Sequence, residues 1–159
     1  MKKIVLSLFV VLTFVFISLT LVKANTAATT VELIDGVQIR TDGNNGLKWV
    51  ANVTNHNDSN VYGFLFAQGE VTNLTIDTNG VINREVAGVS ADKLSYNATM
   101  VKFPKSAAGQ DISVRAYVKV GDTYTYSENT VVRNLAEVAL KIQETSAEGS
   151  FPDVVANYV

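Results

Sequence analysis

Ile112-Ser113-Val114-Arg115-Ala116-Tyr117-Val118-Lys119-Val120, followed by Gly121-Asp122 and then Thr123-Tyr124-Thr125-Tyr126-Ser127, alternates apolar and polar residues through its first nine positions. A period of two places successive side chains on opposite faces, so this run reads as a strand buried on one side. Gly121-Asp122 fits a two-residue hairpin turn that needs positive φ. That turn pairs Val120 with Thr123, Lys119 with Tyr124, Val118 with Thr125 and Tyr117 with Tyr126. One hairpin face then carries Arg115, Tyr117, Lys119, Tyr124 and Tyr126.

The same signature continues upstream. Further strands are expected at 30–34, 37–40, 47–54, 61–67, 71–76 and 96–103, with 123–127 as the hairpin's return strand, separated by Gly, Asn, Asp and Ser. In 47–54, Leu47, Trp49, Ala51 and Val53 share one face, which makes Trp49 a core anchor. Residues 42–46 read as a second turn. Residues 83–94 have weak periodicity and an internal glycine and read as an irregular excursion. After Ser127 the period changes: Val131, Leu135, Val138 and Ile142 mark an amphipathic helix over about 130–143, capped by Asn129 or Thr130. Arg133, Glu137 and Lys141 lie on its other face, spaced for i,i+4 pairs. The fold class expected is mainly β: an antiparallel, β-sandwich-like (Ig-like) domain with one C-terminal amphipathic helix.

The N-terminus bears on the compartment. Lys2 and Lys3 precede a charge-free apolar run from Ile4 to Val22, and Val22-Lys23-Ala24 offers a cleavage site. The run would extend roughly 28 Å as a helix, near the about 30 Å of a bilayer core. Residues 1–24 therefore read as a signal peptide, with an uncleaved membrane anchor as the rival. The expected domain is 25–144, secreted or at the cell surface, and 145–159 is a C-terminal tail. Removing 1–24 takes three of the 13 basic residues and none of the 15 acids, leaving a formal charge of −5. Without a basic patch, nucleic acid is not an expected partner.

Composition excludes several chemistries. The 159 residues contain no cysteine and one histidine, His56. Disulfides, thiolate metal sites, cysteine nucleophiles and multi-histidine metal centres are ruled out, and no cofactor is expected. His56 lies in a polar turn, Thr54-Asn55-His56-Asn57-Asp58-Ser59-Asn60, without a nucleophile-elbow pattern. Asp42, Asn44, Asn55, Asn57 and Asp58 have the oxygen chemistry of calcium ligands, but the spacing is not that of an EF-hand loop, and turn formation explains them better. Paired carboxylates drawn from Asp35, Glu70, Asp77, Glu85 and Asp111 would suit glycoside hydrolysis, but spacing favours no two of them.

Two stretches, Ile39-Arg40-Thr41-Asp42-Gly43 with Gly46-Leu47-Lys48-Trp49-Val50-Ala51, and Tyr124-Thr125-Tyr126-Ser127 with Arg133-Asn134-Leu135-Ala136-Glu137-Val138-Ala139, resemble a module of secreted and surface proteins of Firmicutes and Mollicutes. That module opens on an "IRT…GLRF.A" pattern and closes on "YYS…RS.AEVA"; Lys48-Trp49 here replaces Arg-Phe, and Asn134 replaces Ser. Tyr62-Gly63-Phe64 and Ser113 to Tyr117 also match, so the resemblance covers about 37–141. It implies an extracytoplasmic β-rich module and brings no catalytic residue.

The functional expectation is a non-enzymatic binding or interaction module whose partner is an extracellular glycan or protein, touching a membrane only through residues 1–24 if these are retained. Arg115, Tyr117, Lys119, Tyr124 and Tyr126 are its candidate ligand-binding residues, because tyrosines give apolar area with a hydrogen-bonding tip. An ordinary cross-strand tyrosine pair is the competing explanation. A small secreted carboxylate-dependent hydrolase and a structural envelope component are the alternative functions.

Overall fold

The computed structural model describes residues 27–40, 46–92 and 94–145. Residues 1–24, positions 42–45 of the turn expected at 42–46, and the tail from 146 onward lie outside the described residues. Nine strands, one α-helix and a short 3-10 turn (Lys105–Ala107) are described: β1 (Thr30–Leu33), β2 (Gln38–Arg40), β3 (Gly46–Thr54), β4 (Val61–Gln68), β5 (Ile82–Glu85), β6 (Ser95–Val101), β7 (Ile112–Val120), β8 (Thr123–Tyr126), β9 (Val131–Arg133) and α1 (Leu135–Thr145).

Two antiparallel sheets face each other. In the first, β3 is central, β6 runs along one edge, and β1 and β2 share the other, pairing with opposite ends of β3. In the second the order is β5-β4-β7, and β8 and β9 share the far edge of β7. Each sheet therefore has one edge strand interrupted midway, at 34–37 and at 127–130. The expected hairpin register is found: Val120 opposes Thr123 and Tyr117 opposes Tyr126, with Gly121 at φ 59°.

The core follows from the alternation. Leu47, Trp49, Ala51 and Val53 of β3 meet Phe64 and Phe66 of β4 and Val114, Ala116 and Val118 of β7. Trp49 is fully enclosed and packs edge-on against Phe66 with ring centroids 5.4 Å apart, a geometry aromatic pairs favour. Tyr96 of β6 crosses the gap, and its hydroxyl donates to the Tyr117 carbonyl at 2.9 Å, joining the two sheets inside the core.

Several expectations are corrected. Residues 71–76 form no strand; they belong to a turn-rich loop, 69–81, whose Thr75–Thr78 and Thr78–Val81 backbone bonds close successive turns. The region 83–94 is irregular only after Glu85, because its start is β5. The helix begins at Leu135, not 130: Thr130-Val131-Val132 is a β-branched run, and Val131 to Arg133 pair with β7 as β9. The cap is Asn134, whose Oδ1 accepts the Glu137 amide at 2.8 Å. With Arg133 on a strand, its guanidinium turns to the carbonyls of Val132 and Asp35, and Lys141 pairs with Glu144 at 3.6 Å.

Helix α1 closes one end of the sandwich. Leu135, Val138 and Ala139 are buried, and the Ala136 amide donates to the Ala108 carbonyl. The opposite end is crossed by residues 55–60, which carry the chain from β3 to β4. Among the described residues no helix is long and apolar enough to cross a membrane.

Gly63 opposes Tyr117 in the β4–β7 ladder. A Cβ there would overlap the Tyr117 phenol and stand 2.7 Å from the Arg84 carbonyl, a backbone atom that cannot swing away. Gly63→Ala is therefore expected to destabilise by about 2–3 kcal/mol, at the upper end for overpacking, read as a lower urea midpoint at unchanged slope.

Candidate functional site

The five hairpin residues do lie on one face of the second sheet, but that face is not open. Loop 69–81 lies across it, and Leu74 is fully buried in a small second core with Leu65, Ala67 and Tyr117. Ser113, Arg115 and Tyr126 bond the loop to the sheet, Ser113 Oγ also donating to the Gly69 carbonyl at 2.6 Å. The Val71 amide donates to Ser113 Oγ at 2.8 Å, the Ile76 amide donates to Tyr126 Oη at 3.2 Å, and Arg115 Nη1 donates to the Leu74 carbonyl at 3.2 Å. Arg115 Nε also holds the Ser127 carbonyl at 2.8 Å.

Tyr117 is wholly enclosed, and its hydroxyl donates to Asn83 Oδ1 at 2.8 Å. Tyr124 and Tyr126 are half-buried and stacked, 10° from parallel with centroids 6.0 Å apart. Arg115 stands 5.1 Å from the Tyr126 ring centre and Lys119 5.5 Å from that of Tyr124. Ring faces already covered by cations and by each other leave little for a sugar to stack on. Arg115, Tyr117 and Tyr126 hold the loop, and Lys119 and Tyr124 remain partly exposed.

Burial sets the ionisation of two tyrosines. Tyr117 is pushed up to about 12, chiefly by its enclosure and then by the nearby Glu85 charge. Tyr96 is raised well above the usual tyrosine range for the same first reason, with Tyr117 adding to it.

The other face of β8 bears on a different feature. Thr123 and Thr125 alternate with the tyrosines and point inward, where they border an open cleft of about 640 Å3 with Thr29, Asn55, Asn57 and Asn60. The cleft lies at the end of the sandwich crossed by residues 55–60. Its loop is cross-tied: Asn55 Nδ2 donates to the Ala28 carbonyl, Asn60 Nδ2 to Thr29 Oγ1, Thr29 Oγ1 to the Asn55 carbonyl, and the Ser59 amide to Asn57 Oδ1. Asn55 takes φ 54°, a left-handed position that asparagine tolerates.

His56 stands on the cleft wall with both ring nitrogens engaged, Nδ1 to Tyr62 Oη at 2.8 Å and Nε2 to Asp58 at 2.9 Å. Because Tyr62 is buried and also bonds Asn57, this histidine ties the loop to the core. The asparagines read as turn formers are turn formers here; Asp42 and Asn44 lie outside the described residues. Of the acids considered for hydrolysis, Asp35 and Glu70 border one cleft of about 540 Å3 together with Glu128. Asp111 instead accepts a bond from Asn134 Nδ2 at 2.8 Å.

The aromatic rings draw attention to the tyrosine side of the hairpin, and Thr123 and Thr125 are not among the site residues expected from sequence. Their signal was present: hydroxyls at positions whose parity puts them on the inner face mark a place where the core stops. No protein-family model, curated protein or solved structure matches this chain.

The tyrosine geometry has a consequence at high pH. A phenol whose ionisation is raised in the folded state favours folding fully below pH 10, and that contribution is lost as pH climbs from about 10 to about 12. The urea midpoint is expected to fall across this window. Tyr117→Phe is expected to flatten part of the fall; an unchanged slope would show that Tyr117 ionises as freely as in the unfolded chain.

Proposed function

We propose that this chain is a non-enzymatic binding module that works outside the cytoplasm, secreted or held at the cell surface, and that the end cleft takes a neutral polyhydroxylated ligand, a glycan. The observation that carries the reading is the chemistry of the cleft. Among the described residues, its wall holds amides and hydroxyls from Thr29, Asn55, Asn57, Asn60, Thr123 and Thr125 beside the apolar Ala27, Ala28 and Val120, with His56 as the only titratable side chain. Neutral donors and acceptors suit sugar hydroxyls, whereas phosphate or carboxylate ligands call for cations.

Pre-organisation supports the same reading. The loop's bonds to Ala28, Thr29 and Tyr62 fix its geometry before any ligand arrives, which lowers the ordering cost of binding. The apolar run at Ile4 to Val22 supports export. Loops at the end of a sandwich are also the usual places for ligand capture on such frames.

A glycan array probed with the chain recovered from medium or membrane tests the reading. Thr123→Ala with Thr125→Ala removes two hydroxyls that bond no described residue, so the thermal midpoint is expected to move little. Loss of two hydrogen bonds of about 1 kcal/mol each predicts at least tenfold weaker binding. Lys119→Ala with Tyr124→Ala is expected to leave binding intact. The reverse pattern would move the site to the tyrosine face, and recovery of the chain only from cytoplasm would overturn the assignment of place.

A further inference from the structure

At the edge of the second sheet farthest from the end cleft's β8, strand β5 pairs with β4 alone, and all four of its residues are exposed. Its phase is fixed by register. The Val86 amide donates to the Tyr62 carbonyl at 3.0 Å, and antiparallel pairs alternate, so Arg84 and Ile82 direct their backbone groups at Phe64 and Phe66. The amides and carbonyls of Asn83 and Glu85 consequently point away from the sheet, and among the described residues no backbone group bonds them.

The side chains divide the same way. Asn83 is on the outer face, where it holds Tyr117. Ile82 and Arg84 share the inner-facing side with Phe64 and Phe66. Yet Ile82 is 61% exposed. Beside it opens a mainly apolar slot of about 190 Å3 between the sheets, lined by Phe66, Met100, Phe103 and Ile112, with Gln68, Gln110 and the Asn134-bonded Asp111 also on its wall. The slot falls below the roughly 300–1,000 Å3 of small-molecule sites, and its size suits one large side chain. The Arg84 side chain is exposed, and its guanidinium has no ion-pair or hydrogen-bond partner among the described residues.

From this juxtaposition of a free strand edge, an apolar slot and an unpaired guanidinium, we propose that β5 captures an extended peptide as an added strand, with an apolar residue of the peptide in the slot beside Ile82 and a carboxylate, two residues along, against Arg84. Backbone bonds to Asn83 and Glu85 supply the pairing, and the two inward side chains supply selectivity. Charge complementarity selects the occupant. An acidic–apolar peptide satisfies Arg84, whereas a second copy paired so that Asn83 bonds Glu85 would set Arg84 against itself. This site is independent of the end cleft.

The probe is a fluorescein-labelled, end-blocked octapeptide of threonines carrying one leucine and, two positions on, one aspartate, titrated with the full chain by fluorescence anisotropy. Saturable binding is expected, at least tenfold weaker for the peptide with lysine in place of aspartate and for one N-methylated on alternate backbone amides. Arg84→Glu is expected to invert the order of the aspartate and lysine peptides, while Thr123→Ala with Thr125→Ala leaves both unchanged. Absence of binding would overturn the proposal, leaving Arg84 and Glu85 as charges that keep the edge solvated. Indifference to N-methylation would overturn strand addition, and sedimenting dimers abolished by Arg84→Glu would give the edge to a second copy.

Discussion

Eight consecutive residue pairs join Val61–Gln68 to Ile112–Lys119, and the position of every other layer depends on that ladder. Its inner side chains, Tyr62, Phe64 and Phe66 with Ile112, Val114, Ala116 and Val118, supply most of the second sheet's side of the core. Its outer side chains are almost as important. Gly63 leaves the room in which the Tyr117 ring lies, and Ser113 and Arg115 supply the bonds that bring loop 69–81 down onto the sheet. Cover on both faces is what the loop adds to β7. It accounts for the sequence between Gly69 and Val81, where apolar residues sit in turns: Val71, Leu74 and Ile76 pack on the outer face of the second sheet.

The same ladder gives the molecule two unlike sides. Outward, cations and tyrosines are occupied with one another and with the loop, so that side behaves as structure. Inward and beyond the core's limit, Thr123 and Thr125 meet the asparagine loop at one end, while at the free edge β5 leaves Ile82 uncovered. The first sheet is narrower than the second, because β6 is its last strand where the second sheet still has β5 beyond β4. Unequal widths expose inner-face chemistry at the margin, and both proposed contacts use that margin.

Much of this was legible in the residues. Strict alternation in 112–120 and the Gly121-Asp122 turn yielded the hairpin register residue for residue, and Trp49 was placed in the core from parity alone. Where the reading failed, one residue satisfied two patterns. Val131 falls on the helical stripe of Leu135 and Val138 but belongs to a β-branched run, and tertiary pairing with β7 decided for the strand. Asn134 and Glu137 carried the capping-box spacing that marks the true start. Residues 71–76 contain enough apolar residues for a strand, but their apolar spacing serves packing from a loop. The five-residue hairpin face was correctly assembled, but no local signal in 112–127 announces that a segment forty residues upstream covers it.

Amide hydrogen exchange at Val71 and Ile76, followed by NMR in the intact chain, most directly tests the claim that loop 69–81 closes the outer face of the second sheet. Both amides are donors to sheet side chains, so the account predicts exchange slowed far below that of free loop amides, with Arg115→Lys speeding both. Exchange at unprotected rates, with the β7 amides still protected, would contradict it and return the tyrosine face to solvent.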